Sequence, residues 1–261
     1  MLKSVYNGFY YFTSELLNLY GIKHLFSTIK DTERCEVSFS DNGGYPQAEV
    51  LKSFEKVSDF FKVSVSDIVK SKQIHEANVL DVDKTYCGMG VTRESIITNA
   101  DGLITDEQRV PLCIFSADCV PVLIADKKNK VVCAVHSGWR GTAKTISVNA
   151  LDKMINEYKV PKEDIVCAIG PAIGKCCFEV SADVIEALSH IENSEKYSYS
   201  KENGKYMLDL KGVNKQILLN YGIKEENIDV SDICTKCEEE YFYSYRRQGE
   251  KAGRNAAFIM K

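Results

Sequence analysis

Residues 116–146, SADCVPVLIADKKNKVVCAVHSGWRGTAKTI, constrain this chain more than any other stretch. Two apolar runs, 120–125 and 131–135, flank the polar segment 126–130, the pattern of two strands closed by a hairpin turn. Antiparallel pairing brings Cys119, before the first run, to the same sheet edge as His136, after the second. Ser137-Gly138-Trp139-Arg140-Gly141 follow, and from 142 to 158 the apolar positions Ile146, Ala150, Leu151, Met154, Ile155 and Tyr158 recur at helical spacing. A helix therefore starts beside a thiol and an imidazole. The free N–H groups of its first turn, the Arg140 guanidinium and the glycines at 138 and 141 make an expected anion site. Taken singly, a cysteine is usually a small buried hydrophobe and a histidine a hydrogen-bonded core residue. Their combination with the Gly-Trp-Arg-Gly turn points instead to a soft Lewis site next to an anion cradle.

Other segments give the frame. Residues 9–12 and 79–82 read as short strands, 111–115 and 165–169 as buried ones, and 254–259 ends in a terminal strand. Residues 48–61 place Val50, Leu51, Phe54, Val57 and Phe60 at helical spacing. Ser181 is the expected N-cap of a helix running to His190, and Asp209 that of another ending at Gly222. His75, in the loop before residues 79–82, is a third candidate for the Cys119 and His136 site. Asp118 is the carboxylate nearest to it in sequence.

With 261 residues, 44% of them hydrophobic, the chain can bury a sizeable core, and no Pro/Ser/Gly-rich linker divides it. A net charge of -4, with Lys and Arg scattered, argues against a nucleic-acid or membrane-surface protein and for a small-molecule partner. No apolar run approaches a membrane span and the first 20 residues do not read as a signal peptide, so a cytoplasmic protein is expected. Ten cysteines spread over the chain, two of them adjacent, suit reduced thiols. Cys234 and Cys237 form a CxxC with no second CxxC, so neither zinc nor redox chemistry is expected there, and Cys237→Ala is expected to change nothing. Cys176-Cys177 follow a glycine-bracketed turn that reads equally as a pocket wall or as tight packing.

Five segments together resemble the YfiH/YlmD family, once labelled laccase-domain or multicopper polyphenol oxidases and regarded as broad purine nucleoside phosphorylases. They are KQIH at 72–75, SADCVPV at 116–122, AVHSGWRGT at 134–142, IGPAIGKCCFEV at 169–180, and SYRRQG with GRNAAFI within 244–259. The resemblance implies an α+β fold, one layered domain over 1–261 with mixed sheets flanked by helices and related to cysteine hydrolases. It implies one zinc ion held by His75, Cys119 and His136, with purine nucleosides and phosphate as substrates. One thiolate and two imidazoles with an open fourth position is a catalytic rather than a structural zinc arrangement. Arg140, Gly141 and Arg247 of the SYRR pair are then the expected phosphate and substrate contacts, and Asp118 a proton shuttle for adenosine deamination. The chain departs from the family where Thr28 is followed by Ile29 rather than Arg, so Lys30 or Arg34 must substitute or phosphate binds more weakly.

Three other functions use the same residues. Copper oxidation of phenols needs about ten imidazoles, and the chain has four histidines. A metal-free cysteine hydrolase would use Cys119 as nucleophile with His75 or His136 as base. In a non-catalytic module the Cys/His set would only be structural.

Overall fold

The computed structural model describes residues 1–32 and 37–261, so Arg34 lies outside the described residues. The strands are β1 (Leu2–Tyr6), β2 (Phe9–Thr13), β3 (Lys23–Asp31), β4 (Val69–Lys70), β5 (Val79–Asp81), β6 (Gly102–Thr105), β7 (Leu112–Ser116), β8 (Val120–Asp126), β9 (Val132–Ser137), β10 (Ile165–Ile169), β11 (Glu179–Val180), β12 (Ser198–Ser200), β13 (Tyr206–Leu208), β14 (Ile228–Val230) and β15 (Asn255–Met260). The helices are α1 (Glu15–Leu19), α2 (Gln47–Phe61), α3 (Trp139–Ala143), α4 (Ile146–Asn156), α5 (Ala182–Leu188), α6 (Leu210–Tyr221) and α7 (Tyr245–Gln248). One six-stranded sheet has the order β1-β2-β3-β15-β7-β4, another β14-β10-β8-β9-β6-β5, and β11-β13-β12 form a small third. Both large sheets are mixed, because β4 runs parallel to β7, β5 to β6 and β10 to β14.

Side-chain alternation explains the layering. Val120, Val122 and Ile124 of β8 pack with Ile146 and Met154 of α4 and Val213 and Ile217 of α6. Leu123 and Ala125 of the same strand meet Ile114 of β7 and Ile259 of β15, which joins the two sheets face to face. Phe258 and Met260 of β15 turn the other way, onto Phe54, Val57 and Phe61 of α2. The order of layers is thus α2, first sheet, second sheet, then α4 and α6. Each fully buried aromatic or aliphatic side chain in these seams contributes roughly 1.5–3 kcal/mol. The α+β class with mixed sheets flanked by helices is therefore the one observed.

The expected hairpin is present. Strands β8 and β9 pair antiparallel with Pro121 opposite His136. The Asp126 carboxylate closes the turn by accepting from the backbone N–H groups of Lys128, Lys130 and Val131 at 3.1, 2.6 and 2.8 Å. The helix expected over 142–158 is instead two helices, α3 and α4, because Thr145 takes a left-handed φ of 52° between them. Thr142 lies inside α3, where its hydroxyl joins a buried network with Ser137 and Asn214 of α6. The Ser181 hydroxyl bonds the Asp183 carboxylate and does not cap α5, which ends at Leu188, short of His190. Asp209 does cap α6, accepting from Gly212 N–H at 3.0 Å, and Gly222 ends it at φ 96°. Among the described residues, no helix is long and apolar enough to cross a membrane.

Candidate active site

The register that sets Pro121 against His136 puts Cys119 and His136 at one edge of the second sheet, as expected from the hairpin. His75 joins them from the loop between β4 and β5. One ligand atom from each of the three lies within 4.8 Å of the others, and the two imidazole rings meet edge to face at 5.0 Å between centroids.

The loop that brings His75 in is anchored at two points. The Gln73 side chain pairs with the Phe115 backbone like an added strand residue, donating to its carbonyl at 2.8 Å and accepting from its N–H at 2.9 Å. The second anchor is Asp101, fully buried just before β6. Its carboxylate accepts from the backbone N–H groups of Ile74, His75 and Glu76, each at 3.0 Å, and from His136 Nδ1 at 2.8 Å. These bonds hold His75 at a left-handed φ of 63°, a conformation that costs of order 1–3 kcal/mol and persists only where its surroundings over-determine it. They also fix the His136 tautomer: Nδ1–H donates to the carboxylate, which leaves the Nε2 lone pair for the cluster. Hydrogen bonds from His136 and the loop N–H groups overcome burial to keep the Asp101 carboxyl below its usual range.

Electrostatics bind the group together even without an ion. Burial pushes the Cys119 thiol up, but the adjacent His136 and His75 outweigh it and bring it down to about 6. Burial lowers His136 in turn, and the Cys119 charge with the Asp101 bond raises it to about 9. The donor set also fits a metal sterically. A Cβ on Gly138 would come within 3.0 Å of Cys119 Sγ and 3.2 Å of His75 Cδ2, so glycine leaves open the space that an ion and its ligands require.

The cluster opens into a cavity of about 740 Å³. Phe115, Trp139, Phe178 and Tyr245 give it aromatic faces, and Lys70, Lys72, Arg246 and Arg254 give it cations. Asp118, at a left-handed φ of 86°, lines it too, but both carboxylate oxygens are engaged. One accepts from the Thr235 hydroxyl at 2.7 Å, the other from the Ser244 hydroxyl at 3.0 Å and Arg246 N–H at 2.7 Å. That arrangement suits anchoring the wall better than shuttling protons.

Three expected phosphate contacts are not brought to the cavity, whose lining includes none of Arg140, Gly141 and Arg247. Arg140 is exposed and lies over the Trp139 ring at 4.3 Å. Gly141 is buried where a Cβ would press on the Glu76 and His136 carbonyls, so its role is close packing. Arg247 donates to the carbonyls of Thr235, Lys236 and Phe242 at 3.1, 2.7 and 2.5 Å. Lys30 does not replace the absent arginine after Thr28, because its ammonium pairs with Glu240 and sits over the Tyr10 and Tyr241 rings. Sequence reasoning missed Asp101, Lys70 and Arg254. Asp101 carried a signal as a charged residue directly ahead of a buried strand, and Arg254 as the cation of the GRNAAFI segment, whereas Lys70 carried none. The CxxC was also misjudged as isolated: the sulfurs of Cys176, Cys177, Cys234 and Cys237 all lie within 4.8 Å of one another.

Residues 33–261 match the family described as multi-copper polyphenol oxidoreductase laccase. A purine nucleoside phosphorylase of Bacteroides thetaiotaomicron is 37% identical over 197 residues, covering 74% of this chain and 73% of the relative. The adenosine deaminase RL5, from an unknown prokaryotic organism, is 31% identical over 228 residues, covering 86% of this chain and 87% of the relative. The crystal structure of YlmD from Geobacillus stearothermophilus superposes with a TM-score of 0.91 at 29% identity, covering 99% of this chain and 97% of that one.

Proposed function

This chain belongs to the family described as multi-copper polyphenol oxidoreductase laccase, and we propose from its site and its named relatives that it is a zinc-dependent enzyme acting on purine nucleosides. It cleaves the N-glycosidic bond with phosphate and deaminates adenosine as a second activity. The observation that carries this reading is the Cys119, His75 and His136 cluster, backed by buried Asp101, opening into a cavity that combines aromatic faces with cations. Relatives named as a purine nucleoside phosphorylase and an adenosine deaminase supply the substrate class.

Zinc is the assigned metal because one thiolate and two imidazoles leave a fourth position free. A cluster of several coppers does not fit. His24 is committed elsewhere, accepting from Ser14 N–H and bonded to the Ile22 carbonyl, and His190 is not among the grouped donors. Zinc held there supplies Lewis acidity toward water or a substrate heteroatom.

The remaining work belongs to the chain's own residues. Phe115, Phe178 and Tyr245 present faces on which a purine stacks, and the cations Arg246, Arg254 and Lys70 hold the phosphate dianion. Phosphorolysis forms a bond from a phosphate oxygen to C1′ while the bond from C1′ to the base nitrogen breaks. Its electron pair passes into the purine, which takes a proton. Orientation of the two reactants in one cavity is the main contribution expected of the protein. Asp118 positions the wall by holding Thr235, Ser244 and Arg246. The reduced thiols of the nine described cysteines suit a cytoplasmic setting.

Incubation of inosine with and without phosphate, with metal analysis of the same preparation, tests the reading. Hypoxanthine and ribose 1-phosphate should form only with phosphate. Cys119→Ala, His75→Ala and His136→Ala should each lose the metal of this site and the activity. The thiolate–imidazolium pair at Cys119 and His136 favours one rival, a metal-free cysteine hydrolase. Inosine left intact while an ester or amide is cleaved through a covalent Cys119 adduct would establish the rival instead.

A further inference from the structure

We propose that Cys176, Cys177, Cys234 and Cys237 form a second metal site, a structural tetrathiolate centre for one zinc ion, which ties the active-site wall together. The four sulfurs lie within 4.8 Å of one another, with 3.7 Å between Cys176 and Cys237 and 3.4 Å between Cys177 and Cys237. A tetrahedron with zinc–sulfur bonds of about 2.3 Å has sulfurs about 3.8 Å apart. A disulfide would need about 2.05 Å, and all four cysteines are free thiols. The sulfurs are thus spaced for a shared ion rather than for a bond to each other.

The backbone around them is shaped for the same purpose. Gly174 N–H donates to Cys234 Sγ at 3.2 Å, and the Cys237 N–H also supports that sulfur. A Cβ on Gly174 would come within 3.2 Å of Cys176 Sγ and 3.4 Å of Cys234 Sγ, so the chain approaches the sulfurs more closely there than another residue readily allows. Both turns that carry the thiols close on themselves, the CxxC by Cys237 N–H to the Cys234 carbonyl at 3.1 Å and the Gly-Lys-Cys-Cys turn by Cys177 N–H to the Gly174 carbonyl at 2.9 Å. On binding, the four thiols give up their protons to solvent, and the centre carries a net charge of about −2. Lys211, buried and donating to the carbonyls of Ser231 and Ile233 at 2.6 and 2.8 Å, is close enough to feel the charges of Cys234 and Cys176 and offsets part of it.

The two segments joined here are those that build one side of the cavity. Phe178, next to Cys177, lines it, and the Arg246 guanidinium reaches it from carbonyls of Cys177 and Glu179, at 3.4 and 3.0 Å. Thr235, next to Cys234, donates to Asp118, and Ile173 N–H bonds the Asp118 carbonyl at 3.0 Å. Loss of the ion should therefore loosen Phe178, Arg246 and Asp118 together, while His75, Cys119 and His136 keep their own supports.

The test is metal content per chain of the full-length protein, purified without added metal, for wild type, Cys237→Ser, Cys176→Ser and His75→Ala. Both cysteine variants should lose one equivalent of zinc that His75→Ala retains, and they should raise KM more than they lower kcat. In the wild type, alkylation followed by peptide mapping should find the four thiols protected until a strong chelator is added. That measurement decides the matter if the variants do not fold. Cobalt-loaded His75→Ala should show a thiolate-to-cobalt charge-transfer band that Cys237→Ser abolishes in the same background. Unchanged zinc in Cys237→Ser, free alkylation of all four thiols in the purified protein, or disulfides among them in non-reducing maps would overturn the proposal.

Discussion

Asp101 shows how much of the site hangs on one carboxylate. Its two oxygens take four donors, three loop N–H groups and the His136 ring, so an amide cannot replace it without turning its NH2 toward some of those donors. On the metal-site reading proposed above, Asp101→Asn should weaken metal binding at His75, Cys119 and His136 about 10- to 100-fold, the usual cost of losing a partner that orients a metal-ligating histidine. Competition with a chromophoric chelator measures this, and an unchanged affinity would mean that the loop and ring are held by other contacts. Gly138→Ala is predicted to act by steric intrusion at the same ligands, with a comparable fall in metal affinity and little change in Tm. The sequence marked Cys119, His136 and His75 because each stands in a local pattern. Asp101 escaped notice because its partners lie 25 to 35 residues away. Arg140 was legible as a cation beside the site, but no local pattern shows that it lies along the Trp139 ring.

Elements with a single dominant period were readable, whereas side-chain bonds at element ends were legible at Asp209 of α6 but not at Ser181, whose hydroxyl turns to Asp183 instead of capping α5. The β8–β9 hairpin and α2 emerge as expected because alternation and helical spacing are local. The division of the next helix depends on Thr145 and on the buried contacts of Thr142 with Ser137 at the end of β9 and with Asn214 of the distant α6. Another end-of-element bond gives a pH prediction. His24 on β3 accepts from Ser14 N–H at 2.7 Å at the start of α1. Burial pulls its pKa from 6.5 down to about 4, outweighing the Ile22 carbonyl and Asp229. The folded form therefore resists protonation that the unfolded chain accepts. Its contribution is full above about pH 6.5 and is lost as pH falls toward 4, by roughly 3 kcal/mol at about 1.4 kcal/mol per unit. Urea unfolding at neutral pH and near pH 4.5 should show a flatter decline in His24→Gln than in the wild type. Parallel declines would show that His24 does not drive the acid sensitivity.

At the scale of the molecule, strand ends and loops from both large sheets converge on one cavity: Lys70 from β4, Phe115 from β7, Cys119 ahead of β8, His136 from β9 and Arg254 ahead of β15. The four cysteines of the second cluster were hidden for the same reason, since Cys177 and Cys237 stand 60 residues apart and meet only when two loops cross. Convergence also reverses the local charge. The chain carries -4 overall, yet Lys70, Lys72, Arg246 and Arg254 face the cavity, where of the lining acids Asp41 and Asp118 the latter is already engaged by three donors. On the phosphorylase reading proposed above, phosphate binding should therefore be electrostatic and salt-sensitive. Raising ionic strength from about 0.1 M to about 1 M shortens the Debye length from ~10 to ~3 Å, and KM for phosphate should rise several-fold with kcat nearly constant. Arg254, half-buried with its guanidinium donating to the carbonyls of Ala252 and Gly253 at 2.6 and 3.0 Å, is the least free to be replaced by a neighbour. Arg254→Gln should raise that KM by about 10-fold or more, the loss of a charge-assisted bond of ~1.5–3 kcal/mol, and should flatten the salt response. Arg140→Gln should leave both unchanged, because that side chain lies outside the cavity along Trp139. Equal damage from the two substitutions, measured as KM for phosphate at both ionic strengths, would return the anion site to the start of α3, where the sequence alone had put it.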